Sequence, residues 1–313
     1  MPVTDNAALL RRTSAWRRWL PGAGAALLLL AAGWALVRPV GALVGLEPRD
    51  SMSDISYGSG ARHKLDVYRP RGADNVPVIV FFYGGRWQSG AKGWYRFLGA
   101  TLAARGYVVV VPDYRLYPEV KFPEFVMDGA NALRWTQENI ATFRGNPRRL
   151  FVMGHSAGAY IAAMLALDPK WLKDVGLDTD RDIAGLIGVS GPYDFLPLKD
   201  ATLTDIFGGN DRAVTQPISF AEGRKPPTLL LTGSADDIVD PGNSARLADK
   251  LRRNGNDATE VMYRRLGHIT VLAAFAPVLG NLFSALDDVQ AFVERATPGA
   301  QRRVSDYAGT AAP

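Results

Sequence analysis

Short apolar runs that alternate with helix-like stretches constrain the fold of this chain more than any other feature. The runs have the composition of strands buried on both faces, and they lie at 76–83, 107–111, 150–153, 186–189 and 228–231, with a further strand at 64–68. Helical stretches lie between and after them, at 94–104, 125–142, 157–167, 244–253 and 285–296. This alternation predicts an α/β fold with a mainly parallel central sheet flanked by helices. Residues 193–225, with scattered Pro and Gly, interrupt the alternation and predict a short cap insertion.

The first fifty residues differ from the rest because they contain an uncharged run at 20–37. Arginines precede this run, at Arg11, Arg12, Arg17 and Arg18. At helical rise the run spans about 27 Å, which is enough for a bilayer core. Positive charge before it predicts that the N-terminal end stays inside and the rest of the chain outside. No convincing cleavage site follows, which favours an uncleaved membrane anchor with an extracytoplasmic (periplasmic) main domain over a removed signal peptide and a secreted protein. The predicted boundaries are 1–50 for this anchor segment, 51–297 for the main domain and 298–313 for a flexible tail.

Charge and composition exclude several classes of protein. The net charge is +5, and residues 1–50 contribute six Arg against three acids, or +3, so the rest of the chain carries only +2. Its basic residues do not cluster with aromatic ones, and no nucleic-acid partner is expected. The chain has no Cys and three His, at His63, His155 and His268. This composition excludes cysteine nucleophiles and thiolate zinc sites, and the spacing argues against a histidine-rich metal site.

The sharpest local motif is Gly-His-Ser-Ala-Gly at 154–158, which follows the strand at 150–153 and opens the helix at 157–167. A G-x-S-x-G turn between a strand and a helix holds a serine nucleophile in a tight, strained conformation. Outside this context the same pentapeptide is an ordinary glycine-rich turn. The placement between strand and helix favours the catalytic interpretation, and Ser156 is predicted to be the nucleophile.

A serine hydroxyl needs a base within hydrogen-bond reach. His155 adjoins the serine, but its side chain is expected to point into the fold. His63 precedes the first core strand, where a surface or packing role is expected. His268 lies on a loop after the strand-like segment 259–265 and is the histidine that remains. We therefore predict His268 as the base.

The base is in turn oriented by a carboxylate, which in an open α/β sheet is expected just past the carboxyl end of a buried strand. Asp236, Asp237 and Asp240 all follow the strand at 228–231. We predict Asp236 for this role and Asp237 as the alternative, while loop capping or surface charge is the other role open to these acids. The resulting chain order of Ser, Asp and His is that of the α/β-hydrolase arrangement.

Negative charge that develops on an attacked carbonyl oxygen requires amide donors placed in advance. The pair Gly84 and Gly85 follows the strand at 76–83 and provides a turn whose amides can point inward. Ala157 comes directly after Ser156, where G-x-S-x-G hydrolases have their other donor. We predict an oxyanion hole formed by Gly84, Gly85 and Ala157.

From about residue 54 to residue 296 the chain resembles the α/β-hydrolase superfamily, specifically carboxylesterases of the hormone-sensitive-lipase and feruloyl-esterase-like (BD-FAE-like) kind. The matching segments are YGGRW at 83–87, PDYRLYPE at 112–119, the helix containing Asp128, GHSAG at 154–158, LLLTGSADDIV at 229–239 and LGHI at 266–269. Tyr83 stands where that family usually has a histidine, but the oxyanion donors are backbone amides, which this difference leaves in place. The resemblance implies a serine hydrolase that cleaves carboxylic esters of small or medium substrates through an acyl-enzyme, without a metal or organic cofactor.

Residues near these motifs are candidates for the substrate pocket, each with core packing or solvent exposure as its alternative role. The main candidates are Arg86, Trp87 and Tyr193, and further ones are Trp94, Tyr95, Phe195 and 269–283. The same machinery also suits an amidase, a formamidase or a deacetylase of an envelope polymer. A non-catalytic, membrane-tethered binding protein on a hydrolase fold is the alternative from another class. It is disfavoured because all three catalytic positions are filled.

Overall fold

A mostly parallel sheet forms the centre of the protein. The computed structural model describes residues 50–275 and 284–297, and within these ranges eight strands pair in the order β1-β2-β4-β3-β5-β6-β7-β8. The strands are β1 Ser51–Ser56, β2 Lys64–Tyr68, β3 Val76–Phe82, β4 Val108–Pro112, β5 Gly145–His155, β6 Gly185–Val189, β7 Thr228–Gly233 and β8 Ala258–Tyr263. All pairs among β3 to β8 are parallel, whereas β2 is antiparallel to both β1 and β4. The prediction of an α/β fold with a mainly parallel sheet is confirmed.

Helices flank this sheet in the described part of the chain. They are α1 Arg96–Ala104, α2 Glu124–Asn139, α3 Ala157–Leu167, α4 Lys170–Lys173, α5 Thr179–Asp182, α6 Ala201–Phe207, α7 Gly242–Arg253 and α8 Ala285–Arg295. Short 3₁₀ helices cover Lys92–Tyr95, Ile140–Phe143, Ala213–Thr215, Pro217–Phe220 and Thr270–Phe275. Helix α3 packs on β5 and β6 and is buried over its whole length, because its sequence AGAYIAAMLAL has no polar face to present to water.

The observed elements differ from the predicted ones at an edge strand, at the start of β5 and within the predicted insertion. Strand β1 was not predicted, because its sequence SMSDIS is polar and its side chains are mostly exposed at the sheet edge. Strand β5 begins five residues earlier than predicted, and its first residue, Gly145, pairs with Val76 of β3. Within the predicted insertion, α6 begins after Asp200, whose carboxylate accepts the amide of Leu203, and it ends at the left-handed Gly208.

Several predictions concern residues outside the described ranges. The apolar run at 20–37, the tail at 298–313 and the segment 276–283 all lie there. Among residues 50–275 and 284–297, no helix is both long enough and apolar enough to cross a membrane.

The carboxyl ends of the parallel strands bring the predicted site residues to one edge of the sheet. Gly84 lies two residues past the end of β3, and Ser156 immediately follows β5. Asp236 lies three residues past β7, and His268 five residues past β8. Because parallel strands all end on the same side, segments far apart in sequence meet there, as open α/β sheets generally arrange their sites.

Candidate active site

The turn that carries Ser156 has the strained geometry expected of a nucleophile. Ser156 has φ 56° and ψ −123°, a conformation that non-glycine residues rarely adopt. A Cβ on Gly154 would overlap the carbonyl oxygen of Gly158, and a Cβ on Gly158 would overlap the carbonyl oxygen of Phe82. Both flanking positions of the motif therefore require glycine. The Ser156 amide donates to the carbonyl oxygen of Val189 at 2.9 Å, which fixes the turn to β6.

Ser156, His268 and Asp236 form a continuous hydrogen-bonded triad. Ser156 Oγ lies 2.8 Å from His268 Nε2, and His268 Nδ1 lies 2.9 Å from Asp236 Oδ2. A carboxylate only accepts hydrogen bonds, so the Nδ1 proton is directed to Asp236 and Nε2 is left as the acceptor for the serine hydroxyl. The structure thus brings together the three residues that were predicted separately from three distant segments.

Asp236 is distinguished from its acidic neighbours by burial and by its hydrogen bonds. Its Oδ1 accepts the backbone amides of Ile238 and Val239 at 3.1 and 2.9 Å. Burial by itself raises the pKa of the Asp236 carboxyl, but the hydrogen bond and charge of His268 and the Val239 amide lower it more, so this pKa lies below its usual value. Asp237 and Asp240 are exposed, and neither contacts His268. The structure therefore favours Asp236 over Asp237 as the acid that orients the base.

His155 points into the fold, as its position beside the nucleophile predicted. Its Nε2 lies 3.0 Å from the carbonyl oxygen of His268, and its Nδ1 lies 3.3 Å from the hydroxyl of Tyr95. Burial, with a contribution from the adjacent His268, lowers the pKa of His155 to about 3. His155 is consequently neutral near pH 7.

His63 lies away from the triad. Its Nδ1 accepts the amide of Gly60 at 3.0 Å, which leaves Nε2 to donate to Asp128 at 3.1 Å. Asp128 is fully buried and also accepts hydrogen bonds from Arg115. The family motif around Asp128 thus holds the segment after β4, and His63 has the packing role that was expected of it.

The loop after β3 supplies amide donors, but not the pair that was predicted. The Gly84 amide donates to the hydroxyl of Tyr95 at 3.3 Å, so it is already bound on the buried side of the loop. By contrast, the amides of Gly85, Arg86 and Ala157 donate to no acceptor within the described ranges. Gly85 and Ala157 therefore remain available as oxyanion donors, and so does the amide of Arg86, whereas the Gly84 amide already has an acceptor.

Gly84 is still required at its position. A Cβ there would lie 2.9 Å from the Cβ of Ser156 and 3.0 Å from His155 Nδ1, closer than real Cβ contacts allow. Its role is therefore to let the loop approach the nucleophile. The sequence could not reveal this because the orientation of one peptide depends on Tyr95, eleven residues further along the chain.

Tyr83 holds the base of the same loop in place of the family's usual histidine. Its hydroxyl donates to Asp113 at 2.8 Å and accepts from Arg62 at 2.7 Å. The hydroxyl of Tyr114 donates to the Tyr83 carbonyl oxygen at 2.7 Å, and the two rings stack with centroids 4.6 Å apart. These contacts fix both the side chain and the backbone of Tyr83. The loop at 83–87, which we call the oxyanion loop, therefore keeps its shape without the histidine.

A cavity of about 620 Å³ opens at Ser156. Ser156 and Ala157 line it, as do the pocket candidates Arg86, Trp87 and Phe195. Its remaining walls come largely from the start of the insertion and the loop before α7, through Leu196, Leu198, Leu203, Ile238 and Val239. The cavity therefore combines an apolar wall with the nucleophile and two of the open amides.

Three other pocket candidates lie elsewhere. Tyr193 is fully buried, and its hydroxyl lies so close to Gly188 that a Cβ there would overlap it, which places the ring in the core beneath the cavity. Trp94 is 37% exposed on the surface, and Tyr95 is buried behind the oxyanion loop. Of the segment 269–283, residues 276–283 lie outside the described ranges and the remainder does not line the cavity.

Ion pairs and one buried amide hold the rim of the cavity. Arg86 pairs with Asp200 at 3.2 Å, and Arg246 pairs with Asp194 at 2.5 Å. Asn243 accepts the amides of Tyr193 and Asp194, both at 2.8 Å, and so attaches the insertion to α7. Sequence reasoning missed Asn243. The one available signal was a polar side chain on the buried face of an amphipathic helix.

Comparisons with known proteins agree with this geometry. The chain is similar to isoprenylcysteine alpha-carbonyl methylesterase ICME of Arabidopsis thaliana, with 32% identity over 257 residues, covering 75% of this chain and 60% of that protein. It is also similar to kynurenine formamidase of Danio rerio, with 33% identity over 149 residues, covering 47% of this chain and 48% of that one. The chain spans about 54 to 63% of the length of three of the methylesterase relatives that it matches.

The fold matches solved esterase structures. A truncated carbohydrate esterase from gut microbiota superimposes with a TM-score of 0.68 at 21% identity, covering 79% of this chain and 96% of that one. At this identity the likeness concerns the fold alone, which is the α/β-hydrolase fold that the motifs implied. The BD-FAE family model matches residues 65–251, more than half of the chain, and spans β2 to α7. The chain therefore belongs to the BD-FAE family of α/β hydrolases.

Proposed function

We propose that this chain is a serine hydrolase that cleaves carboxylic esters of small or medium substrates through an acyl-enzyme intermediate. The observation that carries the proposal is the 2.8 Å contact between Ser156 Oγ and His268 Nε2 at a cavity with open backbone amides. A nucleophile, an oriented base and unoccupied amide donors are the parts that acyl transfer requires. The methylesterase and other esterase relatives support an ester as the substrate class.

Acylation begins when His268 Nε2 takes the hydroxyl proton of Ser156 as Oγ bonds to the ester carbonyl carbon. Asp236 stabilises the imidazolium that forms and holds its Nδ1–H. The carbonyl oxygen becomes an oxyanion that accepts hydrogen bonds from the amides of Gly85, Arg86 and Ala157. When the tetrahedral intermediate collapses, His268 gives its Nε2 proton to the leaving oxygen, the alcohol departs and the acyl group stays on Ser156.

Deacylation uses the same groups in the reverse order. A water molecule loses a proton to His268 Nε2 and bonds to the acyl carbon. The second tetrahedral intermediate is stabilised by the same amides. Its collapse returns the proton from His268 to Ser156 Oγ and releases the carboxylic acid. No further acid or base is needed, because His268 carries the proton in both halves of the cycle.

The proposal is tested by Ser156→Ala, assayed with p-nitrophenyl esters of two to eight carbons. We expect the rate to fall by at least about 10⁴-fold, because the nucleophile and its proton are both removed. The matched control is Ser244→Ala, since Ser244 is an equally buried serine in α7 that does not line the cavity. Turnover of these esters by Ser156→Ala at the wild-type rate would refute the mechanism.

A formamidase or other amidase is the second candidate, and the relationship to a kynurenine formamidase is the observation that favours it. The same triad cleaves an amide if His268 protonates the leaving nitrogen. A panel of three substrates separates the candidates: an aryl ester, an N-formyl anilide and an acetylated sugar, the last of which also probes polymer deacetylation. The highest kcat/KM identifies the class, and loss of that activity in Ser156→Ala ties it to this site.

A non-catalytic binding protein on the same fold is separated by chemistry at the nucleophile. A fluorophosphonate probe labels a serine only when its base and oxyanion donors are assembled. We expect labelling of the wild-type chain at Ser156 and none in Ser156→Ala. A chain that folds but is not labelled would favour the binding-protein alternative.

We further propose that the N-terminal segment anchors the chain in a membrane, with the catalytic domain on the extracytoplasmic side. The support is the uncharged run at 20–37 and the arginines that precede it. Full-length protein should stay with membranes after alkaline carbonate extraction, and a variant without residues 1–50 should not. Release of a shortened chain into the medium would instead indicate a cleaved signal peptide, and digestion by a protease added from the cytoplasmic side would contradict the orientation.

A further inference from the structure

A chain of buried hydrogen bonds connects the oxyanion loop to the loop that carries the base. The Gly84 amide lies 3.3 Å from the Tyr95 hydroxyl, which lies 3.3 Å from His155 Nδ1. His155 Nε2 lies 3.0 Å from the carbonyl oxygen of His268. Three bonds thus join Gly84 of one loop to His268 of the other, through two side chains that belong neither to the triad nor to the oxyanion hole.

In each of these three hydrogen bonds, the donor and the acceptor are fixed. A carbonyl oxygen only accepts, so His155 must carry its proton on Nε2 and donate it to His268. In the neutral ring Nδ1 is then an acceptor, and the Tyr95 hydroxyl donates to it. The Tyr95 oxygen in turn accepts the amide of Gly84. One tautomer of one neutral histidine is therefore compatible with all three bonds.

The surroundings keep this arrangement intact. Tyr95 is fully buried and His155 is 1% exposed, so water cannot readily replace either link. Burial lowers the pKa of His155 to about 3, which preserves the neutral ring. Its ring centroid lies 4.9 Å from that of His268. A neutral ring is required at this distance, because a second cation would oppose the imidazolium that forms on His268 during catalysis.

The hydrogen-bond chain ends at two loops whose relative position acyl transfer depends on: the loop after β3 and the loop that carries His268. At one end, binding of the Gly84 amide fixes the peptide that precedes Gly85 and Arg86, whose own amides remain open. At the other end, the His268 carbonyl is held within the loop that sets the position of Nε2. The loop with His268 follows β8 and the loop with Gly85 and Arg86 follows β3, and three other strands separate β8 from β3 in the sheet. The hydrogen bonds through Tyr95 and His155 connect the two loops directly, without passing through those three strands.

We propose that Tyr95 and His155 are positioning residues that hold the oxyanion loop and the His268 loop in register for acyl transfer. The inference rests on the proposed function and deepens it. The competing interpretation is that both rings only fill space in the core, where Tyr95 also packs near Phe81 and Tyr83. The two interpretations differ in what the hydroxyl and the ring nitrogens do.

Tyr95→Phe removes the hydroxyl and keeps the ring. We expect kcat for the best ester to fall about 10- to 100-fold, with KM changed by less than about twofold, because misplacement of catalytic groups slows the chemical step more than it weakens binding. The matched control is Tyr68→Phe, since Tyr68 is equally buried and its hydroxyl also makes a 3.3 Å contact, with Asp66, away from the site. A Tyr95→Phe enzyme with kcat no lower than that of the control would overturn the proposal.

A double-mutant cycle tests whether the two residues act as one chain. His155→Asn can keep an acceptor toward Tyr95 but does not reach the His268 carbonyl. If the two side chains act through one chain of hydrogen bonds, kcat of the double variant is no lower than kcat of the more impaired single variant. If they have independent packing roles, the fold-decreases in kcat of the two single variants multiply in the double variant. Multiplicative losses would therefore overturn the proposal. Thermal unfolding of each variant is measured alongside, so that a decrease in folded protein is not counted as a decrease in kcat.

A third measurement uses the intact wild-type chain and does not depend on turnover. Nitrogen-15 NMR of the three histidines distinguishes the two neutral tautomers from the cation. We expect His155 to be neutral with its proton on Nε2 from pH 5 to pH 8, and a charged ring or an Nδ1–H tautomer there would overturn the proposal. If the wild-type chain hydrolysed no ester or amide, the proposed function would fail, while this measurement would still decide whether the hydrogen-bond chain exists.

Discussion

Replacing Asp236 by Asn isolates the role of the tautomer of His268. Asp236 Oδ1 accepts the amides of Ile238 and Val239, while Oδ2 lies 2.9 Å from His268 Nδ1. In Asp236→Asn the amide oxygen must take the Oδ1 position, because only an acceptor satisfies those two backbone N–H groups. The Asn NH₂ group then faces His268 Nδ1 and donates to it. This contact at the closer position favours the His268 tautomer with its proton on Nε2, which can no longer accept the serine proton, even though Oδ1 also lies 3.1 Å from Nδ1.

The expected loss is large because the loop geometry is preserved while the base is disabled. Where the same substitution has been made in a triad with this arrangement, kcat falls about 10⁴-fold. A factor of 10⁴ corresponds to about 5.4 kcal/mol of transition-state stabilisation. We expect a loss of that order for Asp236→Asn, with little change in KM, since Asp236 does not line the cavity.

Steady-state hydrolysis of p-nitrophenyl butyrate at pH 7 to 9 is the assay. Asp237→Asn is the matched control, because it makes the same change at the neighbouring exposed acid and should leave kcat within about twofold of wild type. The reasoning would be refuted if Asp236→Asn kept more than about a tenth of wild-type kcat. It would equally be refuted if Asp237→Asn caused the larger loss, since Asp237 would then be the orienting acid.

Three further predictions concern the supports of the site. Gly158→Ala should prevent folding or lower the melting temperature sharply, because the new Cβ overlaps the Phe82 carbonyl oxygen; a melting temperature equal to wild type would contradict this. Tyr83→Phe should lower the free energy of unfolding in urea by about 1–3 kcal/mol, since it removes the donor to Asp113 from a buried network; an unchanged urea midpoint would count against that role. Because the pKa of His155 is depressed to about 3 in the folded chain against 6.5 when unfolded, the neutral ring stabilises the fold above pH 6.5, and this contribution is lost as the pH falls toward 3. The urea midpoint of the wild-type protein should therefore decrease as the pH is lowered from 6.5 toward 3, and in His155→Gln it should depend less on pH. An equal pH dependence in the two proteins would exclude His155 as its source.

The triad could be predicted because its members depend on local context and on one general property of parallel sheets. Ser156 was marked by a pentapeptide between a strand and a helix. His268 could be identified as the base because His155 was expected to point into the fold and His63 to have a surface or packing role. Asp236 followed from its position past the end of β7. Each step needed only the order of elements, since the carboxyl ends of parallel strands meet at one edge.

The oxyanion donors and the pocket could be predicted only in part, because they depend on the orientation of single peptides and rings. Gly84 was expected to donate into the site, but the Tyr95 hydroxyl takes its amide. Tyr193 was expected in the pocket, but its side chain lies beneath the cavity with its hydroxyl against Gly188. Neither contact has a local signal, since each joins side chain and backbone through the tertiary fold. Strand β1 escaped prediction for the opposite reason, because an exposed edge strand needs no apolar run.

In the proposed mechanism, catalysis and substrate preference depend on different parts of the chain. The triad and the oxyanion loop are held by buried contacts at the edge of the sheet. The apolar wall of the cavity comes instead largely from the insertion, through Leu196, Leu198 and Leu203. Changes in this wall can therefore alter which acyl or alcohol group fits while the distance between Ser156 and His268 stays the same. For this chain the insertion is therefore the segment to vary when its substrate preference is determined.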